Sequence, residues 1–422
     1  MGTLNDKNII FSKYIRFMEN KDEIIIINGR SGAWLGIDNP ILNKIKYCVD
    51  NRIAPSTYID SLNNITEKQQ LIEAFEVLFD EGILVISNEK EEINIKEVEF
   101  KITNKCNLKC LHCSASSDIS KVDTLATEEI KAVLDKIFKL DIDTLLISGG
   151  EPLIRQDIKT LLPYIRNNFK GEVNLITNGT LIDKEMASLL KQCVSAVSIS
   201  MDGYDKISTE FVRGKGVYDK IIQAIDNLKE VSFNKESLSI SMTVTNQNSN
   251  HEDDFNFLCE KLDVNGGLRK FSPIGRGFDN YDNIGINNYS NLKLDSSSDL
   301  EEIRESLDCH IICRAGTGKF SIDESGELHP CLLLDGKEYS FGNIVRDELN
   351  EIFNSKEYIN FINNKIMRSM VDDIPKCKNC NVRYFCMDSC LGYNNSYYNN
   401  NKLYEEKCKH IKPYLTKVLW DE

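Results

Sequence analysis

The chain has 422 residues, 41% hydrophobic and 27% charged, which is enough apolar material for two or three separate cores. Its net charge of −14 argues against a nucleic-acid partner, because neutralising phosphates needs clustered Lys and Arg. Met1–Asn8 is polar, and no stretch approaches the roughly 20 apolar residues of a membrane helix, so a cytoplasmic protein without membrane contact is expected.

Residues 1–90 read as a small unit of their own. Glu23–Asn28 and Gly32–Ile37 are β-type runs joined at Gly29-Arg30-Ser31, a hairpin signal. Helical periodicity follows in Pro40–Val49 and in Thr66–Asp80, with Thr66 and Gln69 placed as a capping box and Gly82 as the stop. Ile83–Ser87 closes the unit as a strand, giving the element order of a winged helix-turn-helix. Asn88–Asn94 is charged and polar and reads as a linker.

From 95 to 275 strands and helices alternate. The strands are Val98–Thr103, Thr144–Ser148, Val173–Thr177, Ala196–Met201, Leu238–Thr245 and Leu268–Pro273. The helices between them are Glu128–Leu140, Ile158–Asn167, Lys184–Gln192, Tyr218–Val231 and Asp254–Leu262. Repeated β–α units imply a parallel sheet, and six of them give an α/β fold with a partial (β/α)6 TIM-like barrel. Residues 276–300 read as a loop, and 305–422 as a third domain with little periodicity.

Fourteen cysteines in a reducing compartment point to metal rather than disulfides. Cys106, Cys110 and Cys113 follow the first barrel strand, where barrel active sites collect. Three thiolates can hold three irons of a [4Fe–4S] cluster and leave the fourth open, whereas an electron carrier has all its irons held by protein. A zinc site is the alternative on spacing alone.

Cys-x3-Cys-x2-Cys after a first strand resembles the signature of the radical S-adenosylmethionine (SAM) family, with His112 replacing the usual aromatic before the third cysteine. That resemblance implies that the open iron chelates SAM and that an electron cleaves it to a 5′-deoxyadenosyl radical. It also implies SAM contacts at successive strand ends. These are the Gly149-Gly150-Glu151-Pro152 turn, Asn178 within Thr177–Thr180, Ser200 and Asp202 near the ribose, and Arg213 on the carboxylate.

Eight of the cysteines lie beyond the barrel. Cys313 and Cys331, then Cys377-x2-Cys380-x5-Cys386-x3-Cys390, then Cys408, with Gly326 five before Cys331, resemble the SPASM extension. A zinc ribbon competes for the Cys-x2-Cys pair. The resemblance implies two auxiliary [4Fe–4S] clusters, three clusters in all. Cys313, Cys331 and Cys390 would hold the nearer auxiliary cluster, with Cys309 as its candidate fourth ligand. Cys377, Cys380, Cys386 and Cys408 would hold the farther one. Cys48, Cys193 and Cys259 read as small buried hydrophobes, and His251, His310, His329 and His410 as structural or surface residues.

Residues 1–87 resemble the peptide recognition element of peptide-maturing radical SAM enzymes, whose small sheet takes up a precursor's leader as an added strand. A DNA-binding winged helix is the rival, but Ser56–Leu62 carries Asp60 and no Lys or Arg. Together the three parts resemble sactipeptide and ranthipeptide maturases, which join a cysteine sulfur to a carbon of another residue. The implied partners are a precursor peptide with a leader and a one-electron reductant such as flavodoxin or ferredoxin. Carbon–carbon or cyclophane linkage, maturation of a folded protein as by anaerobic sulfatase maturases, and an iron–sulfur electron carrier or redox sensor remain as alternatives. The sequence singles out no catalytic acid or base.

Overall fold

A computed structural model describes residues 3–21, 23–86, 94–285, 294, 299–307, 309, 311–366, 370–386, 390–393 and 400–420. The linker reading at 88–93, most of the 286–298 stretch and His310 lie outside them. The chain divides into two compact units: residues 1–92, 289–313 and 363–422 in one, 93–288 and 314–362 in the other. The stretch 305–422 is therefore shared between the two.

In the first unit, β1 (Ile9–Phe11) pairs antiparallel with β5 (Leu84–Ile86). Strands β2 (Ile15–Asn20), β3 (Glu23–Asn28) and β4 (Trp34–Asp38) form an antiparallel sheet in that order. Helices α1 (Asn39–Asp50), α2 (Pro55–Ser61) and α3 (Ile65–Asp80) follow. The expected capping box is not formed: Asn64 caps α3 by accepting from the Glu67 N–H at 3.2 Å, and the Gln69 side chain turns to Glu73. Asn64 reaches the first turn before Thr66 can. Gly82 stops the helix with φ +62°, a left-handed conformation that costs glycine little.

The apolar run in β3 is buried on both faces. Ile24 and Ile26 pack with Leu42, Ile45, Phe75 and Leu78 of the helices. Ile25 and Ile27 pack with Val371, Cys377, Val382, Leu415 and Trp420, so 363–420 takes its core from the same sheet. A continuous run rather than alternation is what two-sided burial demands.

In the second unit six parallel strands run β6 (Glu97–Lys101), β7 (Thr144–Ser148), β8 (Glu172–Thr177), β9 (Ala196–Ser200), β10 (Leu238–Val244) and β11 (Asn265–Lys270). The helices between them are α4 (Thr127–Ile137), α5 (Ile158–Asn168), α6 (Lys184–Cys193), α7 (Lys206–Arg213), α8 (Val217–Glu230) and α9 (Glu252–Leu262). The partial (β/α)6 barrel is thus the observed architecture. β11 begins three residues before the expected Leu268, because Asn265 already pairs with Ser239. The sheet also continues past β6. β12 (Lys319–Ile322) pairs parallel with β6, and β13 (Leu328–His329) pairs antiparallel with β12. Those two strands draw 314–362 into the barrel unit.

The two faces of this sheet differ. Val98, Phe100, Ile147, Leu175, Ile199 and Ile240 are fully buried on one. Register places Glu99, Ser148, Asn174, Ser198, Ser241 and Ser321 on the other. Alternation of this kind belongs to a sheet with one face under helices and the other lining a polar interior.

Candidate functional site: a cysteine loop on the barrel and a cysteine set in the first unit

The loop after β6 is fixed by the ends of neighbouring strands. The Gly150 N–H donates to Thr103 O at 2.8 Å and the Glu151 N–H to Lys105 O at 2.9 Å. A Cβ on Gly149 would stand 2.4 Å from Thr103 O, and one on Gly150 would stand 2.5 Å from Lys105 O. The glycines are thus required first by the chain's own backbone. Cys106 N donates to Asp118 O at 3.1 Å, and Leu111 N to Val212 O at 3.0 Å. Arg276 adds a clamp from the far end of the barrel, donating to Cys110 O at 2.9 Å and Ser117 O at 2.7 Å.

Cys106 and Cys110 are buried and Cys113 is half-buried. Burial pushes the Cys106 thiol up to about 11 and raises Cys110, with the other two thiols adding to the shift at Cys106. Such thiols stay protonated and inert unless a cation takes the proton's place, which fits iron. Asn178 Nδ2 lies 3.8 Å from Cys106 Sγ, and Arg213 Nη1 lies 3.8 Å from Cys110 Sγ.

Buried Asp202 (φ +59°) joins the loop to β9 and β10. It accepts from the Thr243 N–H at 2.7 Å, pairs with Arg213 and lies 2.8 Å from His112 Nε2. Burial pushes its carboxyl up, but Arg213, His112 and the Thr243 N–H outweigh that and hold it well below the usual carboxylate range. Arg213 Nε and His112 Nδ1 are buried without a hydrogen-bond partner among the described residues. Arg213 Nε is a donor available to an anionic or polar ligand, and His112 Nδ1, whose ring turns Nε2 to Asp202, is a further open polar atom. Glu151 is fully enclosed. Its oxygens accept from Thr177 Oγ1 at 2.7 Å, Asn178 N at 2.7 Å and Leu153 N at 3.1 Å. Burial raises its carboxyl against those bonds. Glu151 thus builds the turn, with Pro152 opening the next one. Ser200 lies two residues before Asp202, nearly buried, with Ser241 beside it in register.

The polar face of the sheet adds residues that no motif signals. Burial pushes the Glu99 carboxyl up to about 7, while the Ser148 hydroxyl and Lys319 oppose the shift. Glu99 Oε1, Asn174 Oδ1 and Ser241 Oγ are buried atoms without a partner among the described residues. Arg276 was equally silent, lying in a stretch read as loop.

In the first unit, Cys377, Cys380, Cys386 and Cys408 come together. Burial pushes the Cys386 thiol up to about 12, with Cys408, Cys380 and Cys377 adding to it and Lys407 opposing. This set too fits a cationic cluster. Cys309 is buried beside it, donating to Tyr384 O at 3.5 Å. Cys313 and Cys390 belong to this unit and Cys331 to the barrel unit. Cys48, Cys193 and Cys259 are buried, as expected of small hydrophobes. Among the described residues no three His, Cys, Asp or Glu side chains close on a single ion. Sulfurs that each bind a different iron do not share one centre.

The family profile of the radical SAM superfamily matches residues 100–258. The chain carries a radical SAM domain over those residues. A second profile, the SPASM iron–sulfur cluster-binding domain, matches residues 313–381, so SAM and [4Fe–4S] clusters are its cofactors. Mycofactocin maturase MftC of Mycolicibacterium smegmatis is 29% identical over 265 residues, 59% of this chain and 67% of that protein. The Fe-coproporphyrin III synthase of Methanosarcina barkeri is 36% identical over 168 residues, 39% of this chain and 40% of that one. The subtilosin biosynthesis protein AlbA of Bacillus subtilis is 29% identical over 280 residues, 61% of this chain and 59% of that one. This chain thus spans about two-fifths to two-thirds of these relatives' lengths. The crystal structure of Streptococcus suis SuiB shares the fold, with a TM-score of 0.53 at 18% identity, covering 90% of this chain and 95% of that one. Among the described residues no helix is long and apolar enough to cross a membrane.

Proposed function

We propose that this radical SAM protein is a maturase that joins a cysteine sulfur to a carbon atom within a ribosomally synthesised precursor peptide. The observation that carries the reading is the shared core of the first unit. One face of the β2–β3–β4 sheet packs on the segment that gathers Cys377, Cys380, Cys386 and Cys408. A small sheet suited to taking up a peptide strand is therefore built onto a cysteine set suited to a cluster. Maturase and bacteriocin-biosynthesis relatives support a peptide substrate.

Cys106, Cys110 and Cys113 would hold the cluster that binds SAM, and together they supply a carbon radical able to take a hydrogen atom from the substrate. The Gly149–Pro152 turn, Asn178, Ser200, Asp202 and Arg213 would frame SAM, with Arg213 Nε as an open donor and His112 Nδ1 as a further open polar atom. Cys313, Cys331 and Cys390 would hold a second cluster, with Cys309 as its candidate fourth ligand, and the set around Cys386 a third. Thioether formation removes one hydrogen atom from carbon, one proton from the thiol and one electron. Glu99, on the polar face and near neutrality, is the proton acceptor this chain offers. A cluster held by the auxiliary cysteines would be the acceptor available for that electron, and an external flavodoxin or ferredoxin would supply the one that cleaves SAM. The leader would add a strand at an edge of this sheet, whose outer strands are β2 and β4, with Arg383 donating to Phe17 O of β2 at 3.1 Å.

Mass spectrometry of a cysteine-containing precursor encoded beside this gene, after co-expression and thiol alkylation, tests the reading. Two hydrogens lost per link, with the matching cysteines refusing alkylation after reduction, is the expected result. The same loss with every cysteine alkylated overturns the thioether and assigns a carbon–carbon or carbon–oxygen link. An untouched peptide with SAM left whole under reducing conditions returns the protein to electron carriage.

A further inference from the structure

We propose that Tyr404 and Lys407 raise the reduction potential of the cluster held by Cys377, Cys380, Cys386 and Cys408, fitting it to accept the electron that substrate oxidation releases. The inference rests on the reading that these four cysteines ligate one cluster.

The C-terminal helix Asn401–Trp420 places Tyr404, Lys407 and Cys408 at i, i+3 and i+4, which is one face of a helix. Tyr404 Oη lies 3.1 Å from Cys377 Sγ. Between a phenol and a thiol either atom can donate. Once the sulfur is bonded to iron it has no proton, so the phenol becomes the donor and the sulfur the acceptor. Lys376, with Nζ 5.4 Å from the ring centroid of Tyr404, helps hold the ring. Lys407 is only 5% exposed, and among the charged side chains around Cys386 it acts most strongly on that sulfur. An ammonium so deeply placed needs compensation, which the Tyr393 ring, its centroid 5.8 Å from Lys407 Nζ, supplies in part and four thiolates on a cluster would add to.

Reduction adds one negative charge to a cluster. A hydrogen-bond donor and a buried cation stabilise the reduced form more than the oxidised one, so both raise the potential. The barrel loop is built differently. There Arg213 and Arg276 act on Cys110, but Asp202, beside that sulfur, and Glu151, beside Cys106, oppose them. A low-potential cluster that gives an electron to SAM and a higher-potential one that receives an electron from substrate are what the net reaction needs.

The test is an anaerobic redox titration of the reconstituted full-length holoprotein, followed by the electron paramagnetic resonance of the reduced clusters. Wild type is compared with Tyr404→Phe, Lys407→Met and Lys407→Arg, and iron and sulfide are counted in each. The expected result is a lower midpoint for one cluster in Tyr404→Phe and in Lys407→Met. The other midpoints stay unmoved, iron stays complete, and the potential recovers in Lys407→Arg. Unchanged midpoints at full iron overturn the tuning role while leaving the ligand assignment standing. If Tyr404→Phe sheds iron, the Lys407→Met and Lys407→Arg pair decides alone. Cys386→Ser that keeps all its iron would instead remove the ligand reading beneath the proposal.

Discussion

The cysteine loop of the barrel and the cysteine set of the first unit carry the same ligand chemistry on opposite kinds of support. Around Cys106 the chain is fixed by backbone bonds to strand ends and by the Arg276 clamp, on a sheet with a complete apolar face. Around Cys386 the support is a turn, the four-residue helix Arg383–Cys386 and a core shared with β3. A scaffold of the first kind stands without its metal. One of the second kind draws part of its stability from the metal. On the proposed reading the first site is preformed for chemistry, and the second would couple a cluster to the unit expected to hold the peptide.

The largest effect expected is on turnover. Cys110→Ala should reduce reductant-dependent SAM cleavage, read by chromatography of 5′-deoxyadenosine, to the background without enzyme. Its melting temperature should stay close to wild type. If it melts as early as a Cys386 variant, the contrast between the two supports is broken. Next in size, Cys386→Ala, or chelation of iron from the holoprotein, should lower the melting transition of the first unit by on the order of 10 °C. Limited proteolysis should then cut first within 363–420. Gly150→Ala comes third. Its Cβ must displace the Lys105 carbonyl, at about 1–3 kcal/mol, and the iron bound at the barrel loop should fall while that of the auxiliary clusters holds.

The smallest effect is a change of pH profile. The ordinary Glu carboxyl titrates at 4.5, and burial brings Glu99 to about 7, with Lys319, Lys101 and Glu97 as the charged groups facing it. The folded protein then binds more protons than the unfolded chain between those values, so this group lowers stability as pH rises from 4.5 to 7. A proton acceptor must be ionised, so turnover of the precursor should rise through pH 7. Glu99→Gln should remove that limb and stabilise the protein above neutrality. A wild-type limb surviving intact in Glu99→Gln would deny Glu99 the role.

Much of this was legible in advance where the signal is local. The strand–helix alternation of 95–275, the two-sided apolar run Glu23–Asn28 and the Gly82 stop each follow from periodicity or from one residue's backbone freedom. Others misled for equally local reasons. Thr66 and Gln69 have the spacing of a cap, but Asn64, two residues earlier, holds the N-cap position and Thr66 already lies inside the helix. The C-terminal helix hid behind an internal Pro413 and a largely polar face. Glu151, a ligand candidate by resemblance, also accepts from Thr177, Asn178 and Leu153, bonds that no local pattern announces.

What the sequence determined by itself was the chemistry. The resemblance carried by the cysteine motifs implies iron–sulfur ligands, and the order of strands fixes where the loops that bear them emerge. What only the tertiary structure decided were meetings between residues far apart in the chain. β12 joins the barrel at β6, Arg276 reaches back to Cys110, Glu99 faces Ser148 across strands, and Tyr404 finds Cys377. Periodicity reports a residue's own burial over a few neighbours. The partner on the far side of that burial depends on register and packing, which no short stretch of sequence encodes.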